Sequence, residues 1–215
     1  MNTIRELFCF LRMKLKYLLI PCIVVLFSCN SDSNSIKLNA DSLATDSVKA
    51  KFLVTPGKSI GRIYLGQNVN ELDSILGKPD AGDGAMGKAW GIWYGKNNTK
   101  YGRNEIAVYS SYIDSTMMGK DVKQIRVNSS KFTTVTGLNT ENSLANFTEK
   151  YTDFKKIATY VNDGIGDTIL LYDSKENGIA VEFIRDISRA ITVHKKGETV
   201  NETYLTLHPE WRKLE

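Results

Sequence analysis

The chain has 215 residues, with 28 Lys and Arg, 24 Asp and Glu, and a formal net charge of +4. Four of the basic residues and one acid fall within residues 1–29, which leaves 24 basic and 23 acidic residues beyond them, near +1. That balance excludes the clustered Lys and Arg with which a nucleic-acid binder displaces counterions.

The chain begins with a leader. Arg12, Lys14 and Lys16 form a basic region ahead of an apolar run from Leu18 to Phe27, broken once by Pro21. A membrane span needs about 20 apolar residues, so this shorter run behind positive charge reads as the core of a secretory signal. Both Met1 and Met13 fit as the start. The run ends in Leu26-Phe27-Ser28-Cys29, which resembles the lipobox of bacterial lipoproteins. The resemblance implies cleavage before Cys29 and a lipidated (palmitate) cysteine there. The three cysteines, Cys9, Cys22 and Cys29, all lie in the leader or at its cut. The folded part is therefore expected to have no disulfide, no thiolate nucleophile and no Cys-based metal site. Residues 30–50 are Ser, Asp, Asn, Thr and Lys with isolated apolar residues, the composition of a flexible tether. Asn30 is not the acidic residue that resembles an inner-membrane retention signal, so the expected location is the cell envelope, lipid-anchored in the outer membrane.

About 165 residues remain, ample for a packed core. Ile60, Ile63 and Leu65 fit a strand entering a turn at Gly66. Asn68-Val69-Asn70-Glu71 resembles a capping box. Val69, Leu72, Ile75 and Leu76 then recur at helical spacing, and Gly77 and Pro79 stop the helix. Strands are expected at about 89–94, 105–113 and 121–127. After a strand at Phe132–Val135 and a turn at Gly137-Leu138, Asn139 or Thr140 caps a second helix carrying Leu144, Phe147 and Tyr151. Strands follow at about 155–162, 167–173, 178–184 and 190–194, with hairpin turns at Asp163-Gly164 and Asn177-Gly178. Laying Leu72 on Leu144 lays Ile75 on Phe147, an offset that indicates a tandem repeat. The expected fold class is α+β: two tandem units, 51–130 and 131–215, each a short helix packed on an antiparallel β-meander, with helices on one face and the other face free.

Pro56-Gly57-Lys58-Ser59-Ile60-Gly61-Arg62-Ile63-Tyr64-Leu65-Gly66-Gln67, the helix, and Leu76-Gly77-Lys78-Pro79-Asp80 together resemble small bacterial envelope lipoproteins. These are the outer-membrane-assembly small lipoproteins and, in tandem form, the beta-lactamase inhibitory protein type. The second copy departs from the pattern with Tyr151-Thr152-Asp153-Phe154 in place of Leu-Gly-x-Pro. The resemblance implies a non-enzymatic binding or assembly role.

Chemical motifs are sparse. Gly82-Asp83-Gly84-Ala85-Met86-Gly87 satisfies G-x-G-x-x-G, but it follows Pro79-Asp80 and leads into the strand-like Trp90–Tyr94 rather than opening a helix. It reads as a Gly-rich connection. His194 and His208 are too scattered for zinc and read as surface or edge-strand residues. Asp163, Asp167, Asp173, Glu176, Glu182 and Asp186 read mostly as solvated turn acids. No catalytic residue, metal or cofactor is assigned, and the chain is read as not an enzyme. The non-average feature is aromatic: Trp90, Trp93, Tyr94, Tyr109 and Tyr112 are the candidate partner-binding residues, with Trp90 and Tyr94 on one strand face and Trp93 on the other. They form either core or an exposed recognition face, to which Met117-Met118 at a loop tip would add. The expected function is a lipid-anchored, non-catalytic protein-binding or assembly/inhibitor-like module. A small-molecule or glycan-binding lipoprotein is one alternative, and a hydrolase with dispersed catalytic residues is another. Expected partners are the membrane, through Cys29, and an unidentified protein, with no nucleic acid.

Overall fold

The structure, a computed structural model, describes residues 49–99, 101–164, 166–200, 208 and 210–214. The leader, Cys29 and the tether up to residue 48 lie outside the described residues; residues 49–51, at the boundary expected for the tether, are helical.

Strands dominate. In chain order they are β1 (Leu53–Thr55), β2 (Ser59–Ile60), β3 (Ile63–Tyr64), β4 (Ala81–Ala85), β5 (Lys88–Thr99), β6 (Gly102–Tyr112), β7 (Lys120–Val127), β8 (Thr133–Thr134), β9 (Lys155–Asn162), β10 (Asp167–Ser174), β11 (Ile179–Ile184), β12 (Ile187–His194) and β13 (Trp211–Lys213). Between β3 and β4 a 3-10 turn, Val69–Glu71, runs into α1 (Leu72–Leu76), and α2 (Leu144–Lys150) precedes β9. The expected α+β class is thereby overturned. The two α-helices are five and seven residues long, too short to form a layer over a sheet, and the described chain is mostly β. The helix signals were real but stopped early. Asn68 Oδ1 accepts from the Asn70 N–H at 2.9 Å, which makes a 3-10 turn rather than a capping box. Gly77, at φ +78°, then closes α1 by donating its N–H to the Asp73 carbonyl. The cap of α2 is Ser143, in a capping box with Asn146, and not Asn139 or Thr140. The Asn139 side chain is already used, accepting from the Glu141 N–H.

Nine strands form one antiparallel sheet in the order β13-β9-β10-β11-β12-β7-β6-β5-β4. Two meanders, β4–β7 and β9–β12, meet through their last strands, with Val127 opposite Ile191 and Gln124 opposite His194. The small strands form a second sheet, β3-β2-β1-β8, in which β1 and β8 run parallel. The two sheets touch at a pair of glycines. The Gly57 N–H donates to the Gly178 carbonyl, and a Cβ on Gly178 would lie 2.7 Å from the Gly57 Cα and 2.4 Å from the His194 carbonyl oxygen. Only a residue without a side chain fits there.

Period-two alternation divides the large sheet into two faces. On one, Val108, Ile125, Val127, Val181, Phe183, Ile191 and Val193 form the main core with Val54, Ile60, Leu72 and Phe147 from the small sheet and the helices. Phe147 meets Phe183 edge-on at 5.6 Å. The helix starts follow the expected offset, but Leu72 is the buried residue of α1 and Phe147 that of α2, so the two helices pack at different positions. The opposite face was expected to be free. Instead much of it is buried: Val200, beyond β12, joins Ala158, Tyr160, Ile169, Leu171, Ala180 and Ile184 in a second cluster, against which Trp211 also packs.

Asp153, in the turn after α2, accepts hydrogen bonds from Ser174, the Glu176 N–H and Asn177, joining that turn to the β10–β11 hairpin. Partial burial pulls its carboxyl upward, but these donors outweigh it and hold the pKa below the ordinary 3.8. A depressed folded pKa contributes stability that is complete above the unfolded value and is lost as pH falls through the folded one. The melting-temperature gap between wild type and Asp153→Asn should therefore be constant near neutrality and close as the pH is taken below the carboxylate range. Phe147→Ala should cost about 3–5 kcal/mol in urea unfolding. Val135→Ala, at an exposed position, should stay within about 0.5 kcal/mol.

Candidate functional site

The five aromatic candidates do not form one patch. Trp90 and Tyr109 face each other across β5 and β6 with ring centroids 5.1 Å apart, and both are buried, 5% and 4% exposed. Trp93 points to the main core, and its Nε1–H donates to the Gly77 carbonyl at 2.8 Å, fastening the end of α1 to the sheet. Tyr112 lies at the far end of the meander, 36% exposed, its ring close over Gly87 and beneath the Lys120 ammonium. Tyr94 lines a cavity. Of the two readings of these rings, core and exposed face, Trp90 and Tyr109 take the first: cross-strand pairing places both in a third buried cluster with Ile92 and Ala107.

The cavity measures about 640 Å³ and opens on the second face of the large sheet. Its floor is an ion cluster. Arg126 on β7 donates two bonds of 2.7 Å to the Glu182 carboxylate on β11 and one to Glu105 on β6. Arg126 and Glu182 are buried. The guanidinium must cross β12 to reach Glu182, and small side chains make this possible. The β12 residues along its path are Ala190, opposite Glu182, and Thr192, opposite Arg126, while Ala107 adjoins Arg126 on the other side, in β6. Bidentate guanidinium–carboxylate geometry fixes orientation as well as charge.

The walls are aromatic and polar. The Arg103 guanidinium sits 4.5 Å from the centre of the Tyr94 ring, and that of Arg189 lies 4.4 Å from the centre of Tyr101. His208 stacks on Trp211 at 4.0 Å. β13 sets Trp211 opposite Asn162 of β9 and so brings the end of the chain to the cavity. Asn128 is pinned between two strand groups, accepting from the Glu105 N–H and donating to the Arg103 carbonyl. Glu210 stands near His208 Nδ1 at 3.4 Å. The His208 hydrogen bond, working against burial and helped by a backbone donor and the Arg126 charge, holds its carboxyl below the usual range.

The acids expected in turns divide. Asp163, Glu176 and Asp186 are exposed, whereas Asp167, Asp173 and Glu182 are buried strand residues. His194 is likewise buried rather than at the surface or an edge. Its Nε2 meets Asp173 Oδ1 at 2.8 Å and its Nδ1 faces the Lys195 carbonyl at 3.1 Å, which leaves neither ring nitrogen for a nucleophilic hydroxyl. Among the described residues no group of three or more His, Cys, Asp and Glu could hold a metal ion, and no helix is long and apolar enough to cross a membrane. A second hollow of about 550 Å³, bordered by Tyr109, Gln124 and His194, carries no comparable ring cluster. Sequence reasoning missed Arg126 and Glu105 altogether. Their alternation in β6 and β7 was visible, but nothing local said that their face is covered.

No protein-family model, curated protein or solved structure matches the chain.

Removing Arg126 would leave two covered carboxylates without their counter-charge. Arg126→Met should destabilise by about 3–5 kcal/mol, while Arg126→Met with Glu182→Leu and Glu105→Leu should recover most of the loss. A double-mutant cycle by chemical denaturation measures the coupling.

Proposed function

We propose that this chain is a lipid-anchored, non-catalytic binding protein of the cell envelope, whose working part is the cavity over Arg126. The leader ending in Leu26-Phe27-Ser28-Cys29 supports the address, and the resemblance to small envelope lipoproteins supports a binding role. One observation carries the choice of ligand type. A cavity of about 640 Å³ falls in the range of small-molecule sites, about 300–1,000 Å³, and joins a few fixed polar groups to aromatic walls. Burial of Trp90 and Tyr109 removes the broad aromatic face on which protein recognition was expected to rest. The small-ligand alternative is therefore favoured over the protein-binding one. Glu105 and Glu182 share one guanidinium, an arrangement suited to a fixed floor rather than to two carboxyls trading protons with a substrate, so a hydrolase is the weaker reading.

A protein partner is favoured by a different surface. Met86 and Met118, 99% and 90% exposed, stand with Ile113 and Met117 on the turns at one end of the first meander. If that surface were the working part, filling the cavity would leave binding unchanged.

A ligand held only by the folded chain raises the melting temperature, by an amount that grows with the logarithm of its concentration above Kd. A thermal-shift screen of polar metabolites should yield a compound that stabilises wild type and not Asn162→Trp, a variant that fills the cavity from β9, where position 162 shares the face of Ala158 and Tyr160. Equal shifts in the two proteins, or none for any compound, would remove the cavity as the binding site.

A further inference from the structure

We propose that the ligand of this cavity is a neutral, hydroxyl-rich molecule of the saccharide class; this rests on the cavity being a ligand site. The charges lining it nearly cancel, and most of them are engaged by neighbouring groups. Arg126 is consumed by Glu105 and Glu182. Arg103 lies over Tyr94 and donates to the Gly95 carbonyl, Arg189 lies over Tyr101, and Glu210 is engaged by His208. An anionic ligand such as a phosphate needs convergent cations or backbone amides, and the guanidiniums here are spread among three separate partners. A cationic ligand would meet the guanidiniums of Arg103 and Arg189, which lie beside Tyr94 and Tyr101 at the same opening, and like charges repel.

What the lining offers instead is an intermixture of planar donors and acceptors. Asn104, Asn162 and Glu141 border the cavity beside Ser130 and Thr140. Sugar hydroxyls both donate and accept, so they bond equally well to amides, carboxylates and hydroxyls. The C–H face of a sugar ring is apolar and lies flat on aromatic rings, which Tyr94, Tyr101 and Trp211 supply around the same opening. A fixed floor suits such a ligand, because many weak hydrogen bonds add up only when their partners are held in place.

The test is a glycan array probed with the full chain in a sugar-free detergent, carrying neutral, sulfated and sialylated glycans, followed by calorimetry on the best neutral oligosaccharide. Binding is expected to a neutral glycan, with no gain from added negative charge. Trp211→Ala and Tyr101→Ala should weaken it by about tenfold or more, measured below the melting temperature of each variant because both rings also pack on the second cluster. Two variants are used so that a folding defect in one does not blunt the result. Binding confined to charged glycans overturns the proposal, as does neutral binding indifferent to both substitutions. Silence of the array with a hit in the metabolite screen overturns the saccharide assignment alone. Silence in both overturns the ligand site as well.

Discussion

The seam between β7 and β12 is the constraint on which the rest of the molecule depends. Each meander by itself would end in an open edge at its last strand, and an unpaired edge is a template for association with other chains. Pairing β7 with β12 removes both edges at once. The two faces of the sheet close that seam by different physics. On one, Ile125, Val127, Ile191 and Val193 interdigitate in the main core, which is non-directional and strong. On the other, Arg126 reaches from β7 over β12 to Glu182, which is directional and contributes little net stability once desolvation is counted. A slip of one residue would turn Ile125 and Val127 out of the core. A slip of two would keep the apolar set on its face, but would carry the Arg126 guanidinium away from Glu182 and leave that carboxylate buried without its cation. The apolar face supplies the adhesion, and the ion cluster selects the register.

Much of this arrangement was legible. Ile179 to Ile184 alternates as a strand must, the Asn177-Gly178 turn places glycine where φ is +71°, and the strand spans after each helix coincide with β5 to β7 and β9 to β12. The failures have physical causes. Gly82-Asp83-Gly84 looked like a connection because glycine disfavours strands, yet it forms β4 against β5. Its neighbour across the ladder supplied the order that its own propensity did not. Ser143 was passed over as a cap because Asn139 and Thr140 are equally good candidates, and only the surrounding hydrogen bonds choose among them. The α+β class failed for a simpler reason. Capping and stop signals mark where a helix starts and ends, and here the stops come after five and seven residues.

The candidate site was the least legible part, and the reason is general to sheets that are buried twice. A polar residue alternating with valine or isoleucine reads as solvent-facing, since most antiparallel sheets wet one side. Gln124 and Arg126 in β7, Thr192 in β12 and Glu182 in β11 all fit that pattern and are all buried. What covers this face comes from far along the chain. Val200 donates its N–H to Asp173 at 3.2 Å, and Trp211 sits against Tyr160. No window of sequence around Arg126 contains that information.

This placement explains why the cavity is polar rather than filled. A face coated by a returning segment of chain, instead of by a second sheet or a helix layer, cannot be packed everywhere to core density. Where the cover is good, the sheet carries Ile169, Leu171 and Ile184. At the mouth between the two meanders, apolar side chains would have exposed a wet hydrophobic hollow. The chain instead places the Arg126 ion cluster and Asn128 there, each held by strand neighbours, with aromatic rings at the border. The cluster is rigid, because Arg126 cannot move without leaving two carboxylates unpaired. Rigidity of this kind is the condition under which a surface need not reorganise to meet a partner, and it follows from the two meanders meeting at one guanidinium.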